Sequence, residues 1–104
     1  MTSANLEAIR KRIAGIRAQL ADIENMRPGS LTRQYKDPKN RRGAYYQLSY
    51  TRDMRSRTDY VPRDYVGELR REIKNYKRFK ALTDQWVALS IEQSRLMMKQ
   101  ASRR

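Results

Sequence analysis

Gly43–Pro62, GAYYQLSYTRDMRSRTDYVP, is the stretch whose reading decides the fold. Tyr45, Tyr46, Leu48 and Tyr50, then Tyr60 and Val61, are strand-forming residues crowded into two short runs, with the polar Arg52-Asp53-Met54-Arg55 between them. Two such runs joined by a short polar loop read as a β-hairpin. Asn40 and Gly43 punctuate the entry, and Pro62 ends the second run because it has no N–H to give a ladder. By the strand period of two, Tyr46, Leu48 and Tyr50 share one face, and Tyr45, Gln47, Ser49 and Thr51 share the other. The first set is the more apolar and is assigned to the core, the second to solvent or nucleic acid. A bulge of one residue near Gly43 would exchange the two faces.

Working outward, Ser30–Lys36 (SLTRQYK) alternates as a further strand, and Asp37-Pro38-Lys39-Asn40 supplies turn chemistry. A lone hairpin is marginal in water, so a third strand and a covering helix are expected. The N-terminal segment carries Leu6, Ile9, Ile13, Ile16, Leu20 and Ile23 at alternating spacings of three and four, an unbroken helical seam. Thr2, Ser3 and Asn5 offer N-cap oxygens, Glu7 suits a first turn, and Met26-Arg27-Pro28-Gly29 is a helix stop. This predicts a helix over 3–26. Pro62 suits the first position of a second helix over 63–100, whose apolar residues are Val66, Leu69, Ile73, Tyr76, Phe79, Leu82, Trp86, Leu89 and Leu96. Their register slips at Tyr76–Phe79–Leu82.

The predicted fold is therefore α+β in a single domain, 1–104: an N-terminal helix, a three-stranded antiparallel β-meander over 30–61 and a long C-terminal helix. The two helices are expected to pack as an antiparallel, coiled-coil-like hairpin. At 1.5 Å per residue the second helix would be roughly 55 Å long and the first about 35 Å. If both start from the sheet, Met26 lies near Val66 and Leu6 near Trp86. Trp86, Leu89 and Leu96 then continue a seam without an internal partner, which marks an oligomer interface. A homodimer or higher homo-oligomer is expected.

Composition narrows the function. The 104 residues hold 24 Lys and Arg against 11 Asp and Glu, a net charge of +13. Nucleic acid is the first partner class this implies, ahead of an anionic membrane or an acidic protein. There is no cysteine and no histidine, which removes thiolate zinc sites, disulfides and the usual general base. No cofactor and no metal are expected, and the chain is not read as an enzyme. No run is apolar enough for a membrane span, so the expected location is cytoplasmic, with association to the nucleoid.

The charge is concentrated: residues 27–80 contain sixteen Lys and Arg against six Asp and Glu. Arg33, Lys36, Lys39, Arg41, Arg42, Arg52, Arg55 and Arg57 fall on the sheet and its loops, and Arg70, Arg71, Lys74, Lys77 and Arg78 on the helix that follows. With Tyr45 these are the candidate nucleic-acid contacts, since cations on a ribbon or helix reach phosphates and groove edges. An exposed Tyr45 or Tyr50 can also stack unpaired bases. The function expected is non-enzymatic binding of nucleic acid, DNA ahead of RNA. The alternatives are a helical adaptor or inhibitor of an acidic protein, and an RNA-binding accessory factor.

Pro28-Gly29-Ser30-Leu31, Gly43–Thr51, Arg57–Pro62 and Asn75-Tyr76-Lys77-Arg78-Phe79 together resemble a family of short uncharacterised bacterial and archaeal proteins. Its pattern is Gly-Ser-Leu, an aromatic strand after glycine, a basic strand ending Tyr-Val-Pro, and a long helix. The resemblance covers about residues 28–82. Many members carry several cysteines and a histidine before the aromatic strand; Tyr35–Gly43 has neither here, so the resemblance implies no metal knuckle for this chain. The hairpin-then-helix layout is also similar to arm-type DNA-binding domains of tyrosine integrases, a likeness of layout only.

Overall fold

A computed structural model describes residues 2–103, with side chains from Asn5 onward. The elements are α1 (Thr2–Ala21), β1 (Ser30–Asp37), β2 (Arg42–Arg52), β3 (Arg55–Val61), a single 3-10 turn (Arg63–Tyr65) and α2 (Val66–Ala101). The fold is α+β, as expected. The strands form an antiparallel sheet in the order β1-β2-β3. Among the described residues no helix is long and apolar enough to cross a membrane.

The chain packs as two compact units. Residues 25–77 form the first. Its core is Leu48, Val61 and Leu69, with Leu31, Tyr46, Tyr50, Val66 and Ile73 packed against them. Leu48 is 1% exposed and Tyr46 and Tyr50 pack beside it, so the face assignment of β2 is the expected one. The register runs Tyr35↔Ala44 to Asp37↔Arg42 without a slip, so no bulge near Gly43 exchanges the faces. The β2–β3 loop is two residues, Asp53 and Met54, with φ of 54° and 63°. Two positive φ values are what a type I′ turn requires, and its twist matches that of the flanking strands.

Gly29 enters the sheet at φ 135°. A Cβ there would sit 2.7 Å from Leu48 Cδ1 and 2.9 Å from the Ser49 carbonyl oxygen. Only glycine lets the chain pass this close to the most buried side chain.

The second unit comprises residues 1–24 and 78–104. Here α1 and the C-terminal part of α2 run antiparallel around Ile9, Ile16, Leu82 and Leu89, flanked by Ile13, Leu20, Ile23, Trp86 and Leu96. The register slip read at Tyr76–Phe79–Leu82 falls where α2 passes from the sheet core to this one.

Several expectations change. The first helix ends at Ala21 rather than residue 26. The reason is tertiary: Asn75 Nδ2 donates to the Asn25 carbonyl at 2.9 Å and the Arg27 N–H donates to the Glu72 carbonyl at 3.0 Å, fixing this segment off the helical path. The same bonds place residues 25–27 beside Glu72 and Asn75, not beside Val66. Arg17, not Leu6, lies against Trp86, 5.8 Å from the ring centroid. Leu89 is buried within the chain, with Trp86 and Leu96 packed against its cluster, so the seam assigned to an oligomer interface has an internal partner. Pro62 is the N-cap of the 3-10 turn rather than the first residue of α2. Asn5 and Glu7 lie inside α1, beyond any capping position, and the side chains of Thr2 and Ser3 fall outside those described.

Candidate nucleic-acid interface

Cross-strand register decides where each cation of the sheet stands. Residues paired across an antiparallel sheet share a face. Arg33 pairs with Tyr46, Arg57 with Tyr50, and Arg52 with Arg55, so all four arginines belong to the face that carries Leu48 and α2. They are exposed because they stand toward the margins of that face. The opposite face is nearly neutral: Thr32, Gln34, Gln47, Ser49, Thr51, Ser56 and Thr58, with Lys36 its one Lys or Arg. Tyr45 and the exposed Tyr60 also stand there, lining a shallow hollow with Lys36 and Gly43. The face of β2 assigned to solvent or nucleic acid thus carries few cations; α2 covers the middle of the other face and leaves its rim to them. Tyr50 is no stacking platform either, since the Arg27 guanidinium lies 4.6 Å from its ring centroid.

On α2, Arg70, Lys74 and Lys77 recur at spacings of four and three, which aligns them on one helix face. Arg70 and Lys77 line a cleft with Gly29, Ser30, Leu31 and Ile73. Leu31 and Arg33 are two apart on β1 and share a face, so Arg33 extends this cationic margin. Lys39, Arg41 and Arg42 lie in and beside the β1–β2 turn, which is fixed by Asn40 Nδ2 donating to Asp37 Oδ2 at 2.9 Å.

Among the described residues the ion pairs are Arg27–Asp59 and Arg71–Glu68. Arg71 donates to Glu68 at 2.6 Å and is thereby the least available of the candidate cations. Arg78 belongs to the helix pair, where it donates to Gln19 Oε1 at 3.5 Å. The remaining candidates are exposed and unpaired among the described residues.

Two polar groups were not singled out by sequence. The Arg27 guanidinium bonds the Asp59 carboxylate, and this bond, ahead of the opposing cost of burial, holds its pKa above the ordinary arginine value. The pair is partly solvated, so its net worth is less than about 1 kcal/mol. Glu72, buried on α2, accepts the Tyr65 hydroxyl proton in a hydrogen bond. That bond, with desolvation and the charges of Glu72 and Glu68 adding to it, raises the Tyr65 pKa. An acid thirty-two positions from its arginine, and a glutamate on a core-facing helix position, leave no local sequence signal. No group of three or more acidic, histidine or cysteine side chains suited to a metal occurs among the described residues.

The model of a domain of unknown function, DUF6788, matches residues 6–71. The chain belongs to this family. The DUF6788 segment takes in α1, the whole sheet and the start of α2 as far as Arg71. Gly29, Leu48 and the hairpin tip lie within it, whereas Lys74 and Lys77 lie beyond it. Comparison with curated proteins and with solved structures finds no match.

Proposed function

We propose that the protein is a non-enzymatic nucleic-acid-binding protein, DNA ahead of RNA, that works in the cytoplasm or at the nucleoid. The observation that carries this is the stripe Arg70–Lys74–Lys77 beside the Gly29–Leu31 cleft: three exposed cations on one helix face with no ion-pair partner among the described residues. Such a face repels itself and gains from neutralising phosphates, whose released counterions drive association. The Ser30 hydroxyl at the cleft adds a neutral donor for a phosphate oxygen. Arg33 extends the stripe along β1.

Replacing Arg70, Lys74 and Lys77 together with Ala is expected to weaken duplex binding and to reduce the slope of log K against log salt by about three, near one for each phosphate no longer neutralised. Equal affinity for a polyglutamate chain would favour the acidic-protein reading. Salt-insensitive binding that survives the triple change removes the stripe from the interface.

The helix pair supports a homodimer through a different face from the one the seam suggested. Val87, Ile91, Ser94 and Met98 recur at spacings of four, three and four, and Val87, Ile91 and Met98 are 58%, 50% and 68% exposed. With Trp86 and Ser90 the first three line an open apolar groove. A second copy is the occupant that a heptad-spaced stripe of this kind accepts, and pairing would double the cations offered to one duplex. Val87→Asp with Ile91→Asp is expected to halve the sedimentation mass; a wild-type monomer at micromolar concentration removes the dimer.

A further inference from the structure

Folding alone does not account for the tip of the β2–β3 hairpin. Met54 is 96% exposed and so buries almost nothing. Its φ of 63° lies in the left-handed region, which a long side chain enters only at a cost and where this turn favours glycine. Arg52 and Arg55 stand directly across from one another, a like-charge pair that weakens a hairpin. Arg57 follows on the same face. None of the three arginines has an ion-pair partner among the described residues. Three features that oppose stability thus meet within six residues. Asp53 tolerates its own left-handed conformation, and Arg52–Arg57 keeps a net charge of +2. Strain and exposure concentrated where no core benefits are the marks of a contact surface.

We propose that the hairpin tip is a wedge for duplex DNA. Arg52, Arg55 and Arg57 hold phosphates along a groove while the Met54 side chain enters between two base pairs, partly unstacks them and kinks the helix. This rests on the nucleic-acid reading above and narrows it to DNA that can be bent. An unbranched thioether chain adapts to an irregular gap, and apolar side chains are what architectural proteins insert between base steps from the minor groove. A two-residue turn is the narrowest end a two-stranded ribbon can present. The preferred sites are pyrimidine–purine steps, which unstack most easily.

The test uses the full chain and a duplex of about 25 base pairs with 2-aminopurine at a central TA step and a dye at each end. Wild-type binding is expected to brighten the 2-aminopurine and shorten the end-to-end distance. Met54→Gly and Met54→Gln lose both signals and bind about tenfold more weakly, about 1.4 kcal/mol. Met54→Leu keeps them. Met54→Gly leaves Tm unchanged or raises it, which separates loss of the wedge from loss of the fold. A duplex with a central mismatch is bound more tightly than the matched one by wild type and not by Met54→Gly. The wedge is overturned if wild type binds duplex without either signal, if it binds single strands alone, or if Met54→Gly behaves as wild type; in each case salt-sensitive binding still stands for the broader reading. Absence of binding to every nucleic acid overturns both.

Discussion

The helix pair and the sheet unit hold themselves together in different ways. In the helix pair, Ile9, Ile16, Leu82 and Leu89 share the burial along a seam, and no single side chain dominates. In the sheet unit, Leu48 sits at 1% exposure between Val61, Leu69 and the Gly29 backbone, and the rest of the core is arranged around it. A seam can settle when one of its members is shortened, because helices slide and rotate. A side chain enclosed by a sheet, a helix and a close-passing backbone leaves a hole that nothing nearby can fill. The charge differs as well: residues 25–77 carry fourteen Lys and Arg against six acids, the remaining residues ten against five. The unit built around a single enclosed side chain is also the more cationic.

The sharpest way to break this comparison is to shorten one leucine in each unit. Leu48→Ala is expected to cost about 3–4 kcal/mol in urea denaturation, and Leu89→Ala about 2 kcal/mol. Equal costs would mean that both cores relax alike. Tyr45→Ala, on the solvent face of the same strand as Leu48, is expected to cost under about 1 kcal/mol. A protein that unfolds on Tyr45→Ala and tolerates Leu48→Ala would have its sheet faces reversed.

A smaller effect sharpens the picture of how the sheet unit is tied to α2. The Tyr65 hydroxyl donates to Glu72, and this bond raises the Tyr65 pKa. A folded-state pKa above the unfolded value contributes stability that is complete below about pH 10 and is lost as pH rises through the folded value. In a tyrosinate absorbance titration one tyrosine is therefore expected to ionise later than the others, and Tyr65→Phe or Glu72→Gln to remove that late step. A single common transition in the wild type would show the bond absent in solution.

The elements were legible because their signals are local. Spacings of three and four gave both helices, and Arg52-Asp53-Met54-Arg55 between aromatic runs gave the hairpin. The faces of Arg52, Arg55 and Arg57 were legible too, had the loop length been used: two residues force Arg52 opposite Arg55 and Arg57 opposite Tyr50. The register of α1 against α2 was not legible. Nor were the bonds by which Asn75 and the Glu72 carbonyl hold residues 25 and 27, since they span more than forty positions and no periodicity encodes them. Within the helix pair Leu89 has an internal partner, and the exposed stripe is Val87, Ile91 and Met98.

The placement of α1 also sets a schedule. Ile9 packs in one cluster with Leu82, 73 positions later, whereas the widest pairing in the sheet joins Ser30 to Ser49. During synthesis at about 5–20 residues per second, α1 emerges on the order of 4–15 s ahead of its partner segment. For that interval Leu6, Ile9, Ile13 and Ile16 have nothing of their own chain to cover them. The sheet core waits only for Leu69 and Ile73. Helix α1 is thus made before the sheet and docks after it, and a nascent chain emerged only as far as a point between Ile73 and Leu82 would hold a closed sheet core and a bare, adhesive α1.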